Sequence, residues 1–151
     1  MCRTSETFFS PDLVGPQVYR RFLKGLHRDY FREIERCGLV PICYFLGDVN
    51  PLLEDLTQIG IRGLLVEEGK KSFRLEVGEI WPRLEGRLAL FGNLDSIAVL
   101  QDGTPDQVRA EVLRQRAAAP SGFVVANGSP ITPGTKPENL QAMIRASREA
   151  Q

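Results

Sequence analysis

Four short apolar runs limit what this chain can fold into: residues 39–46, 61–66, 87–91 and 122–126. Each is nearly continuous in apolar character. A strand wetted on one face alternates; a strand buried on both faces does not, and that kind belongs to a parallel sheet. Helical patterns lie between the runs. The first is expected from Pro16 to about Arg36, with Leu23, Leu26, Tyr30 and Ile34 on one face and Gly38 as its stop. Ser10-Pro11-Asp12 reads as a separate turn, because Pro16 would break a helix begun at Pro11. Asn50-Pro51 opens a second helix that Gly60 closes, and Phe73, Val77, Ile80 and Trp81 mark a third. Thr104-Pro105-Asp106-Gln107 has the form of a capping box. Thr135-Lys136-Pro137-Glu138 repeats it before a last helix with Leu140, Met143, Ile144 and Ser147 on its apolar face. One helix, then strand and helix in strict alternation, predicts a single α/β domain over residues 1–151.

Charge and composition narrow the function. Nineteen Lys and Arg balance nineteen Asp and Glu, which argues against a nucleic-acid binder working by bulk electrostatics. No apolar run approaches the roughly 20 residues of a membrane span, and Met1-Cys2-Arg3-Thr4-Ser5 lacks the apolar core of a signal peptide. Cys2, Cys37 and Cys43 are odd in number and lack metal-site spacing, so they read as reduced thiols in a cytoplasmic protein, with Cys43 a small core residue. The lone histidine, His27, falls in the first helix and is expected at a surface or edge position.

In parallel α/β folds ligands gather at the carboxyl ends of the strands. That singles out Gly47, Asp48 and Asn50 after the first run. Glu67, Glu68 and Lys70 follow the second run, Asn93, Asp95 and Ser96 the third, and Gly128 and Ser129 the fourth. Each also has a plainer reading. Asp48 and Asn50 suit a helix cap, Glu67, Glu68 and Lys70 a solvated loop, and Asn93 and Asp95 a turn. No dinucleotide loop or P-loop spacing occurs.

At these strand ends the sequence resembles the C-terminal half of the uroporphyrinogen decarboxylase superfamily, which includes cobalamin-linked methyltransferases. Four segments carry the resemblance. Phe8-Phe9-Ser10-Pro11-Asp12 through Phe22 is similar to the segment entering the family's long helix. Gly47-Asp48-Val49-Asn50-Pro51 is similar to its strand-end glycine and the helix that follows. Phe91-Gly92-Asn93-Leu94-Asp95 resembles the family's Gly-Asn-Leu-Asp strand end, and Gly128-Ser129-Pro130-Ile131-Thr132-Pro133 with Pro137-Glu138-Asn139 its closing loop and last helix. The resemblance implies four βα units of a TIM-type (βα)8 barrel with a preceding long helix. It implies decarboxylation of a carboxylated tetrapyrrole without a cofactor, or methyl transfer with a corrinoid protein. A non-enzymatic half barrel that binds a ligand or a partner is the third reading. Expected partners are a small anionic substrate or corrinoid, and either the missing N-terminal half or a second copy of the chain.

The candidate substrate-binding residues are Tyr44, Asp48, Glu67, Lys70, Asn93, Asp95 and Ser129; no catalytic residue is assigned. The resemblance also implies a departure. The metal-binding methyltransferases carry a His-x-Cys pair before the glycine that Gly47 matches and a further Cys in the closing loop, where this chain has Tyr44, Leu46 and Ser129. The decarboxylases carry a histidine in that loop, where Ser129 again stands. No metal site is expected, since zinc takes thiolate, imidazole or carboxylate.

Overall fold

The computed structural model describes residues 2–6, 10–70, 72–84 and 86–149, and for residues 2–6 the backbone alone. Met1, Phe8 and Phe9, and the Cys2 thiol, lie outside that description.

Five parallel strands form one sheet in the order β1-β2-β3-β4-β5: Cys2–Glu6, Pro41–Phe45, Gly63–Val66, Ala89–Leu94 and Phe123–Asn127. The four apolar runs are β2 to β5, trimmed or shifted by a few residues. β1 is an addition. Its sequence, Cys-Arg-Thr-Ser-Glu, has no apolar run to announce it. It is defined by its pairing with β2, from Cys2 beside Pro41 to Glu6 beside Phe45. An edge strand has one neighbour and answers to backbone pairing more than to apolar patterning.

Strand order equal to chain order settles the architecture. Each crossover steps one place in the same direction. With right-handed crossovers, every helix then falls on the same face of the sheet, as in a (βα)8 barrel. The core agrees. Cys43, Phe45, Leu64, Val66 and Leu90 pack with Leu52, Leu56, Ile59, Ile80 and Leu84 on the helical side. A second cluster joins Leu94 to Val108, Val112 and Ala146. Ile42, Tyr44 and Leu65 are buried yet belong to neither cluster; they alternate with the helix-facing residues and line the inner face.

The first helical stretch differs from the pattern expected of it. Ser10 precedes a single turn, α1 (Pro11–Val14), which ends at Gly15 with φ 79°. α2 (Pro16–Val18) passes through a π-helical segment, Tyr19–Leu23, into α3 (Lys24–Arg36). The buried face is Tyr19, His27, Phe31 and Ile34, while Leu26 and Tyr30 are 65% and 50% exposed. A π turn holds more residues than an α turn, so it rotates the face expected from uniform spacing. His27 is accordingly inside, 8% exposed, with Nδ1 3.1 Å from the Tyr19 hydroxyl.

The later helices are shorter than expected or begin elsewhere. The second is a 3₁₀ turn, Asn50–Leu52, leading into α4 (Leu53–Leu56), and Gly60 lies beyond it. The third is α5 (Val77–Ile80) followed by a 3₁₀ turn over Trp81–Leu84, with Phe73 outside in a bridge to Lys70. α6 (Pro105–Ala118) carries the expected capping box from Thr104 and Gln107. α7 (Pro137–Glu149) begins one residue too late for Thr135 to play that part, and the Thr135 hydroxyl lies 3.0 Å from that of Thr132 instead. Asn139 and Ala146 form its buried face, and Ile144 points outward.

Candidate functional site at the strand ends

The strands end side by side, so their following loops meet in one place. Gly47 turns the chain after β2 with φ 79°, and a Cβ there would collide with Asp12 and Ser10. Its N–H donates to Glu67 Oε2 at 2.7 Å, which ties the β2 loop to the β3 loop. The Tyr44 hydroxyl crosses the sheet and donates to the Gly128 carbonyl at 2.6 Å, which ties β2 to the loop after β5. Gly128 has to be a glycine, because a Cβ would overlap the Glu68 N–H and carboxylate. Asn127 and Ser96 both donate to the Ser129 carbonyl.

Glu68 and Lys70 stand at the centre. The Lys70 ammonium donates to Glu68 Oε1 at 2.6 Å and lies 3.7 Å from Glu67. The Ser129 hydroxyl donates to the same Glu68 oxygen at 2.7 Å. Glu68 is 6% exposed, and its other oxygen, Oε2, is buried without a hydrogen-bond partner. Buried polar atoms left unbonded are few in native proteins, and a functional role is one reason a fold tolerates them. Burial pulls the Lys70 ammonium toward deprotonation. The hydrogen bond to Glu68 and the charges of Glu68, Glu67 and Asp95 outweigh it and raise its pKa above the ordinary lysine value. Lys70 is therefore a fixed positive charge at neutral pH.

Tyr44, Glu67, Lys70 and Ser129 thus come together in one bonded network. Asn93 is joined to it through the Glu67 carbonyl, but its side chain is fully used in holding loops. Its Nδ2 donates to the carbonyls of Glu67 and Leu75, both at 2.8 Å, and its Oδ1 accepts from Gln115. Asp48 and Asp95 do the plainer work. Asp48 Oδ1 accepts from the backbone and side chain of Asn50, and Asp95 Oδ1 from the N–H groups of Ile97 and Ala98. Glu68 and Gln115 belong to the network but not to the substrate-binding set expected from the sequence. Gln115 sits 22 positions after Asn93 on α6, so nothing in the local pattern connects them.

The donor set does not suit zinc. At the three positions where the resemblance implies ligands, the Tyr44 hydroxyl is bonded to Gly128, Leu46 is hydrocarbon, and the Ser129 hydroxyl is bonded to Glu68. Among the described residues no three His, Cys, Asp or Glu are placed to hold a metal ion. Nor is any helix among them long and apolar enough to cross a membrane.

Comparison with known proteins places this geometry. The family model described as uroporphyrinogen decarboxylase (URO-D) matches residues 5–150. The methylcobamide:CoM methyltransferase MtaA of Methanosarcina barkeri is 32% identical over 148 residues, covering 93% of this chain and 39% of that protein. The uroporphyrinogen decarboxylase of Methylococcus capsulatus is 32% identical over 114 residues, covering 74% of this chain and 31% of that protein. A methyltransferase structure from Methanosarcina mazei superposes with a TM-score of 0.84 at 30% identity, over 97% of this chain and 41% of that one. The chain therefore spans about a third to two fifths of the length of these relatives, and over that span its sequence, its sequential parallel sheet and its strand-end loops make it a member of the uroporphyrinogen decarboxylase family.

Proposed function

We propose that this chain is the strand-end portion of a methyl-transfer barrel, which binds one small, singly anionic ligand at Lys70 and has no turnover of its own. The charge count at the strand ends carries this reading. Among the described residues Asp48, Glu67, Glu68 and Asp95 stand there, and the Lys70 ammonium pairs with Glu67 and Glu68. One ammonium suits one anionic group. A tetrapyrrole bearing several carboxylates meets an excess of like charge, and each such pair costs about 1 kcal/mol or more at contact distance near a protein surface. Coverage supports it: two methyltransferase relatives match at 32–33% identity over 93% of the chain, against 32% over 74% for a decarboxylase. The ligand would be of the class those relatives' names specify, a thiol such as coenzyme M. Ser129 and Tyr44 would position it without a metal.

The decarboxylase reading keeps one observation in its favour: a donor set that does not suit zinc fits the metal-free chemistry which the family resemblance implies for decarboxylases. Calorimetric titration separates the two. Coenzyme M should bind and lose affinity on Lys70→Met. Uroporphyrin should bind weakly, and more tightly as salt screens the repulsion. Tight uroporphyrin binding that weakens with salt would reverse the assignment.

A further inference from the structure

Carboxylates surround Lys70 and extend beyond it. A cavity of about 210 Å³ opens between the loops after β3 and β4 and helix α6. Among the described residues that line it, Glu68, Glu76, Asp95 and Glu111 stand with a single cation, Arg114. That guanidinium is already committed. Its Nε and Nη2 donate to Glu111, both at 2.7 Å, and its Nη1 donates to Glu76 at 3.1 Å. Glu68 connects the cavity to Lys70, whose ammonium it holds at 2.6 Å. An anionic group docked on Lys70 competes for that ammonium. Glu68 then keeps the Ser129 hydroxyl as its donor on Oε1 and still has none on the buried Oε2. A buried acceptor short of donors is costly. What this carboxylate lacks is a hydrogen-bond donor from the ligand.

We infer, on the reading that Lys70 holds the ligand's anionic group, that the site takes its thiol with the proton on sulfur, the S–H donating to Glu68, and rejects the thiolate. Like charges disfavour the charged form of an acid placed among them. Glu67, Glu68 and Asp95 surround Lys70, Asp48 stands in the loop after β2, and Glu76 and Glu111 lie deeper in the cavity. Lys70 is occupied by the ligand's own anion and Arg114 by Glu76 and Glu111. A thiolate would add one more negative charge with no described cation left to meet it. A metal would draw the proton off, because its ligands bind deprotonated. The groups at Tyr44, Leu46 and Ser129 do not suit zinc, so the carboxylates decide the ligand's protonation state.

The test is calorimetric titration of the full 151-residue chain with three ligands: coenzyme M, its S-methyl derivative and ethanesulfonate. All three carry the sulfonate, and only the first carries an S–H. Coenzyme M should bind about threefold or more tightly than the other two, the gain of one hydrogen bond. Buffers of different ionisation enthalpy should show no proton released. Raising the pH from about 7 to about 9.5 crosses the ordinary thiol value near 8.5, so coenzyme M should lose affinity about tenfold. Ethanesulfonate should keep its affinity, because Lys70 titrates above the ordinary 10.5. In Glu68→Gln a neutral acceptor replaces a charged one, and the preference for S–H over S-methyl should narrow to about twofold or less. The ligand series on the unsubstituted chain decides even where that variant does not fold. Release of about one proton per thiol bound, with affinity rising toward the higher pH, would overturn the inference. So would equal affinity for all three ligands, or a preference undiminished in Glu68→Gln. Failure of all three to bind, ethanesulfonate included, would instead overturn the Lys70 reading and this inference with it, so the two failures are told apart.

Discussion

Every polar atom of the Asn93 side chain is bonded within the protein, and the residue is 6% exposed. It lies in the segment that most resembles the family's strand end, which invites a substrate-binding role. Its bonds give it another. It joins the carbonyls of Glu67 and Leu75 to Gln115 on α6, and so holds the β3 loop against the next unit. Asn93→Ala leaves those two carbonyls and the Gln115 amide without their partner, at a cost of about 2–4 kcal/mol in urea unfolding. A loss below about 0.5 kcal/mol would show that water replaces the amide and that Asn93 is free for ligand. Lys70 is the opposite case. Its neighbours hold it charged while leaving it 42% exposed, so it can meet a ligand without unfolding anything.

Helix starts in this chain differ by a single residue of register. Thr104 immediately precedes Pro105, its hydroxyl accepts from the Gln107 N–H, and the Gln107 side chain accepts from the Thr104 N–H. Thr135 stands two positions before Pro137, and its hydroxyl pairs with Thr132. The two sequences look alike, yet only the first has the geometry of a cap. Thr104→Ala is expected to cost about 1 kcal/mol, read as a shift in the urea midpoint with unchanged slope, and Thr135→Ala clearly less. Equal losses would mean that Thr135 caps α7 in solution. The π segment Tyr19–Leu23 makes the same point on a larger scale. His27 and Phe31 lie inward after it, and Leu26 and Tyr30 face out.

The assembled sheet and its helices are held together by buried apolar contacts and by a few charges that bridge units. Burial raises the Asp55 pKa, but Lys24 and Arg20 more than offset this, and its carboxyl titrates below the ordinary value of 3.8. Glu111 follows the same pattern through Arg114 and Gln115, below 4.5. A carboxyl whose folded pKa is depressed stabilises the fold above its unfolded pKa and loses that contribution as pH falls through the folded one. Stability should therefore fall from about pH 4.5 downward in urea titrations, and Asp55→Asn should flatten the decline. An unchanged profile in that variant would remove Asp55 from the account. Much of the architecture is legible in the chain. Four continuous apolar runs separated by helix signals call for a parallel α/β fold, because a strand covered on both faces has no wet side to encode. The gathering of Tyr44, Glu67, Lys70 and Ser129 is legible only as proximity to strand ends. Three things come from folding alone: the fifth strand, which backbone pairing defines; the rotated face of the first helix, which a π turn sets; and the burial of Glu68 against Gly128, 60 positions away in the chain. Each depends on contacts between segments distant in sequence or on backbone geometry that no local spacing records.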